Sequence, residues 1–324
     1  MHPLLAHIHP ALRTALLAWL TSRAALWAAL LHTGTWESLR ISESAPLSGV
    51  LSHVFQVALQ TAPAGPMTAA LTLAPWVLVE LATLWATLNV YRFARNTELP
   101  QVAERAAWLW CFNPLLALNA TDWTTSMAAA LGAGALASLV TYRPRTGALA
   151  ALVAMGLRLE FIVMWPAMML AGYRAWRPGK DPKDTPWLGA VVPPVAFAGW
   201  MMVAWHSGQL RHLHGDAAWR DFSALTLPPA PELLLLTAAV GAALLALRYA
   251  SRHATWYLVA ALPALVWPFF QVPASFAAVT FAWALPTAVH LALATDDRAV
   301  ERPLFAGLII AFMLCLPGVN VGPL

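Results

Sequence analysis

The chain has 324 residues, of which 60% are hydrophobic and only 10% charged, and its mean hydropathy is +0.63. That balance lies outside the range of soluble globular chains and excludes water as the only solvent. The formal net charge of +4 comes from basic residues scattered over loops without forming a stripe, which argues against a nucleic-acid partner.

Apolar runs fall at about 11–32, 66–91, 104–120, 123–142, 187–206, 231–249, 255–270, 275–295 and 303–319. A bilayer core of about 30 Å needs roughly 20 apolar residues per helical crossing, and these runs supply them repeatedly. Helices satisfy their own backbone hydrogen bonds in lipid, and the runs are too long and too uniformly apolar for barrel strands. The expected fold is therefore all-α, a polytopic integral membrane bundle of about nine full spans in one transmembrane domain over 1–324. The first run is long and lacks a clean small-residue cleavage site, so it is expected to remain as an anchor. Residues 33–65 are expected to form an outer loop carrying an interfacial helix, and 206–231 a second, more polar outer loop.

Between the fourth and fifth runs lies a hydrophobic stretch at 146–173, about 28 residues long. Arg143 and Arg145 precede it, and Arg174, Arg177, Lys180 and Lys183 follow it. Both ends should therefore share the cytoplasmic side. The stretch is too short for two full crossings, so it predicts a short hairpin or re-entrant pair with its apex near Met155 to Glu160.

With the N-terminus cytoplasmic, Arg13, Arg92, Arg95, Arg105, Arg248, Arg252, Arg298 and Arg302 join those six cations on the inner side. Only Arg40, Arg211 and Arg220 are then outside, while Arg23 and Arg158 fall within apolar runs. The asymmetry fixes an orientation with an extracytoplasmic C-terminus, and the expected location is the bacterial inner (cytoplasmic) membrane.

Charges at membrane depth need a partner, a water-filled cavity or a function. Arg23 and Glu80 lie near the middle of the first two runs, and depth alone suggests a structural ion pair. Arg158 and Glu160 sit at the expected apex, two residues apart and so on opposite faces of any regular helix. One reading has Arg158 facing an outer cavity while Glu160 ties the hairpin to a neighbour; another has both simply holding the hairpin together. On the outer side Glu37 directly follows the first run and Asp122 occupies the tight turn between the third and fourth, each beside an indole, Trp36 or Trp123, that fits either a sugar-stacking platform or the interfacial aromatic belt.

Metal chemistry is not expected. His206, His212, His214 and Asp216 have loose spacing unlike a zinc motif, and Cys111 and Cys315 lie in separate apolar runs with neither ligand spacing nor a disulfide framework.

Four stretches together resemble the GT-C membrane glycosyltransferases, and within them the PIG-V-type mannosyltransferase family and its bacterial relatives. They are Trp36-Glu37-Ser38 after the first run, "FNPLLALNATDWTTS" ending in an acidic turn, "LRLEF" around Arg158, and "GDAAWRDF" followed by prolines. Glu37 stands where the family usually carries Asp, and Leu159 where Pro is typical.

The resemblance implies transfer of a sugar, mannose or another hexose, from a polyprenyl-phosphate sugar donor to a hydroxyl of a lipid or glycan acceptor at the extracytoplasmic face, without cofactor or metal. Glu37 is the expected base, with Asp122 as a second catalytic carboxylate orienting the acceptor. Arg158 and Arg220 would grip the phosphate bidentately, with Arg211, His212, Trp36 and Trp123 completing the substrate contacts. Two other classes remain open: a membrane transporter or lipid flippase, and a non-catalytic membrane subunit of an envelope complex.

Overall fold

The computed structural model describes residues 10–38, 45–63, 65–97, 100–118, 120–141, 143–165, 168–169, 188–206 and 298–317. The expected spans at 231–249, 255–270 and 275–295 and most of the 206–231 loop lie outside the described residues. Within them the protein is helical and contains no extended strand. The helices are α1 (Pro10–Thr33), α2 (Pro46–Thr61), α3 (Pro66–Thr97), α4 (Pro100–Cys111), α5 (Pro114–Leu118), α6 (Trp123–Val140), α7 (Pro144–Leu157), α8 (Leu188–His206) and α9 (Arg298–Leu314). Short 3-10 turns occupy Thr35–Ser38 and Leu159–Met164.

Prolines set much of this punctuation. Six of these helices open on one (Pro10, Pro46, Pro66, Pro100, Pro114 and Pro144), at a position whose N–H has no intrahelical partner and whose φ suits the ring. Pro114 also divides the expected 104–120 span. The chain leaves α4 at Cys111 and re-enters α5 at Pro114, because a proline disfavours helical backbone at the residue before it.

Two stretches, Leu12–Thr33 and Pro66–Arg95, are long and apolar enough to cross a membrane, at 22 and 30 residues. Pro144–Leu157, Ala190–His206 and Phe305–Leu314 are shorter apolar helices.

Contacts fix how the helices run. On α1 and α3, Trp19 meets Thr83, Arg23 meets Glu80 and Trp27 meets Trp76, so one number rises as the other falls: the two are antiparallel. On α3 and α6, Pro75 meets Trp123 and Trp85 lies over Gly134, so these two run parallel, with α4 and α5 making the return between them. A Cβ at Gly134 would run into the Trp85 ring, which explains glycine there: the large indole lets α3 lie close against the small-residue surface of α6. Close small-residue packing is how helices associate where lipid removes the hydrophobic drive.

α7 packs back along α6. Gly147 sits against Ala135 and Leu139, Arg158 reaches Asp122 and Thr125 near the start of α6, and Phe161 then lies on Gly132. The contacts on α6 thus advance toward its first residue and then retreat. The contacts change direction at Arg158, whose extended backbone (φ −149°, ψ 107°) separates α7 from the 3-10 turn.

The helix α2 falls in the expected outer loop, and its exposed side is mixed, with His53, Gln56 and Gln60 beside valines. Ser48 and Ser52 are buried, and Val50, Val54 and Val57 are exposed. Leu47 packs beside Gly156 of α7, so α2 is a member of the bundle as well as a connector.

Candidate functional site

Asp122 and Arg158 meet at one end of this bundle, and residues 36–37 share their level along it. The antiparallel α1 carries Trp36 and Glu37 past the level of the Trp27–Trp76 contact; six residues from Trp27 to Thr33 at about 1.5 Å each place the 3-10 turn roughly 9 Å beyond it. Pro75, adjacent to Trp76, is level with Trp123, so Asp122 lies at that same end. Arg158 arrives there from α7.

Asp122 is the N-cap of α6, and its side chain accepts from the Thr125 backbone N–H at 3.0 Å. An Asp at this position satisfies an orphan amide of the first turn. Its Oδ1 also accepts from the Thr124 hydroxyl at 2.7 Å, and Oδ2 accepts from the Thr125 hydroxyl at 2.7 Å and from Arg158 Nη2 at 2.7 Å. A carboxylate offers about four lone-pair sites, so these four donors occupy it. Arg158 donates through Nε to the Thr125 hydroxyl at 2.9 Å, and its Nη2 reaches that same oxygen.

Burial is asymmetric across the pair. The Arg158 side chain is 1% exposed and that of Asp122 25%. The expectation that Arg158 presents its guanidinium to an open cavity is therefore corrected: a guanidinium in a helical interior requires acceptors, and Asp122 with Thr125 supplies them. Sequence reading had both residues but not their contact; the missed participants are Thr124 and Thr125. "TDWTT" carries the signal, an Asp N-cap before a helical run with hydroxyls two and three residues on.

Trp123, one residue along, is fully buried. Its indole donates to the Pro75 carbonyl at 2.6 Å, and its ring meets Phe55 edge-on with centroids 6.2 Å apart. It is a packing strut between α3 and α6, and the expectation of an open stacking platform at Trp123 is corrected. Buried indoles need an acceptor, and a backbone carbonyl near a proline is available. Trp36 is half-buried and packs against the core. The backbone of Glu37 lies in the Thr35–Ser38 turn; its side chain, like that of Glu160, is not among the described ones. Arg211, His212 and Arg220 lie outside the described residues.

Deeper in the bundle, Arg23 Nε and Glu80 Oε2 are 3.7 Å apart. Trp27 donates to the other carboxylate oxygen, Oε1, at 3.0 Å. The two charges expected at mid-depth thus face one another. Among the described residues no group of three or more His, Cys, Asp and Glu could hold a metal ion.

No protein-family model, no curated protein and no solved structure matches this chain.

Proposed function

We propose that the chain is a polytopic helical membrane protein that transfers a sugar from a polyprenyl-phosphate donor to a hydroxyl acceptor at the end of the bundle where Asp122 meets Arg158. The contact between Asp122 and Arg158 carries the reading, because two of the four stretches that resemble the GT-C glycosyltransferases meet there across 36 positions of chain. The membrane part draws on the two long apolar helices and on exposed apolar side chains along them, among them Leu17, Leu20 and Leu31 of α1 and Val77, Leu78 and Leu81 of α3.

In this reading the acceptor oxygen attacks the anomeric carbon, the bond from that carbon to the phosphate oxygen breaks, and polyprenyl phosphate departs. Glu37 takes the acceptor's proton. Asp122, with its acceptor sites occupied, serves as a positioning residue: with Arg158 it clamps the start of α6 to the α7 turn and so fixes the floor beneath the reacting groups. The departing phosphate is then left to the cations of the 206–231 loop, Arg211 and Arg220.

The test is incubation of the purified protein with polyprenyl-phosphate-mannose and hydroxyl acceptors, following release of polyprenyl phosphate. Wild-type protein should release it and Glu37→Gln should not, with unchanged thermal unfolding. Equal release by both would remove Glu37 as base; no release by wild type with any hexose donor would overturn the transfer reading.

The occupied Asp122–Arg158 pair favours a second reading, a non-catalytic membrane subunit, since such a network needs no substrate to explain it. A partner that co-purifies stoichiometrically, together with full stability and function of Glu37→Gln in that complex, would select it.

A further inference from the structure

At the end of the bundle opposite the Asp122–Arg158 clamp, two arginines come together with no carboxylate between them. Because α3 and α6 run parallel with Trp85 over Gly134, and Arg92 lies as many residues beyond Trp85 as Thr141 does beyond Gly134, Arg92 is level with the turn from α6 to α7. Arg143 stands in that turn, its backbone N–H donating to the Ser138 carbonyl at 2.9 Å, and its guanidinium is close enough to Arg92 to repel it. Arg92 is half-buried and Arg143 exposed. Among the described residues neither makes an ion pair. Arg95, at the same end, is differently placed: Tyr91 lies within reach of both Arg95 and the carboxylate of Glu104.

Like charges held together destabilise one another, and a phosphate that both guanidiniums grip turns the repulsion into attraction. Position along the bundle says which phosphate. The apolar stretch Pro66–Arg95 has 30 residues, about 45 Å of helix against a hydrocarbon core of about 30 Å, so its last turns reach the headgroup layer. On α7 the exposed side chains change character at the same place. Arg143, Arg145 and Thr146 are exposed at its start, and Leu149 and Leu152 are exposed further along. Arg145, Leu149 and Leu152 follow one another at helical spacing, so one face passes from charged to apolar within three turns. We infer that the Arg92–Arg143 pair binds the headgroup phosphate of an anionic phospholipid whose acyl chain lies along Leu149 and Leu152. A zwitterionic lipid fits less well, because its ammonium group beside the phosphate meets two guanidiniums. The inference rests on the membrane part of the proposed function and is independent of the transfer reaction.

Thermal unfolding of the full-length protein in dodecyl maltoside, with phosphatidylglycerol or phosphatidylcholine added, tests it. Phosphatidylglycerol should raise the wild-type midpoint by roughly 2–4 °C over phosphatidylcholine, the size expected for a ligand that binds only the folded protein. Arg143→Gln should abolish that difference, and its midpoint in phosphatidylcholine should equal or exceed that of wild type because the repulsion on Arg92 is gone. Arg95→Gln should keep the difference. Equal wild-type midpoints in the two lipids overturn the inference. So does an equal loss in Arg95→Gln and Arg143→Gln, which is the result if cations at this end act only as diffuse surface charge. A gain of the same size from sodium phosphate at matched ionic strength also overturns it, in favour of a free-anion site. Should Arg143→Gln not fold, Arg92→Gln takes its place, and if neither folds the wild-type comparisons decide alone. The membrane reading fails separately, if alkaline carbonate releases the protein from membranes without detergent.

Discussion

Two buried arginine–carboxylate pairs tie this bundle together, and they differ in how completely they are satisfied. At the Arg158–Asp122 pair the nearest atoms are 2.7 Å apart, two threonine hydroxyls and a backbone amide complete the shell, and the carboxylate has no acceptor site left. At the Arg23–Glu80 pair the separation is 3.7 Å, and Arg23 Nε and Glu80 Oε2 make no hydrogen bond. The first is a clamp that holds Arg158 at the start of α6. The second is a looser contact whose two facing atoms are both left without a hydrogen bond.

Sharp tests of this contrast begin at the clamp. Arg158→Leu should be the most damaging single change, costing about 3 kcal/mol in a reversible detergent unfolding titration. That is the lower end for breaking a buried pair, because the Asp122 side chain left behind is 25% exposed. Thr125→Val removes the hydroxyl that both accepts from Arg158 and donates to Asp122; a loss of about 1–3 kcal/mol in the same titration is expected. A double-mutant cycle between Arg23 and Glu80, using Arg23→Met and Glu80→Gln, should give a coupling of about 1 kcal/mol or less. The same cycle on Arg158 and Asp122 should give more. If the two couplings come out equal, the contrast is broken. The smallest effect belongs to Trp19→Phe, which deletes one interhelical bond to Thr83 and should cost about 0.6 kcal/mol, typical for such bonds in membranes.

How much the sequence disclosed differs by kind of feature. Helix positions followed from apolar runs and opening prolines: the run at 123–142 is the helix Trp123–Val140, and that at 187–206 is Leu188–His206. Depth placed Arg23 and Glu80 near each other, because both charges sit at the middle of their runs and antiparallel neighbours bring middles together. Depth could not give Arg158 its partner. Asp122 reads as a surface turn residue, and only the reversal of α7 along α6 brings the arginine to it across 36 positions of chain.

At α2 the buried serines are satisfied locally. Ser48 accepts from the Ala45 N–H at 3.1 Å and donates to the Ala45 carbonyl at 2.7 Å, while Val50, Val54 and Val57 are exposed. Where the surroundings are apolar, an outward valine is at home and an inward serine needs only a local partner. Glycine is the other signal that reads only in retrospect. Gly132 and Gly134 look like helix-weakening residues on α6, but aromatic rings from Phe161 and Trp85 occupy the space a side chain would need.

The indole of Trp123 has a mechanical consequence. It is bonded to the carbonyl of Pro75, the residue at which α3 lacks an internal N–H. Pro75 is adjacent to Trp76, and Trp123 is adjacent to Asp122 in the clamp. That bond, set in the close α3–α6 packing that Trp85 and Gly134 also make, couples the Trp76 side of α3 to the clamp, so a tilt of α3 at Pro75 is felt at Asp122.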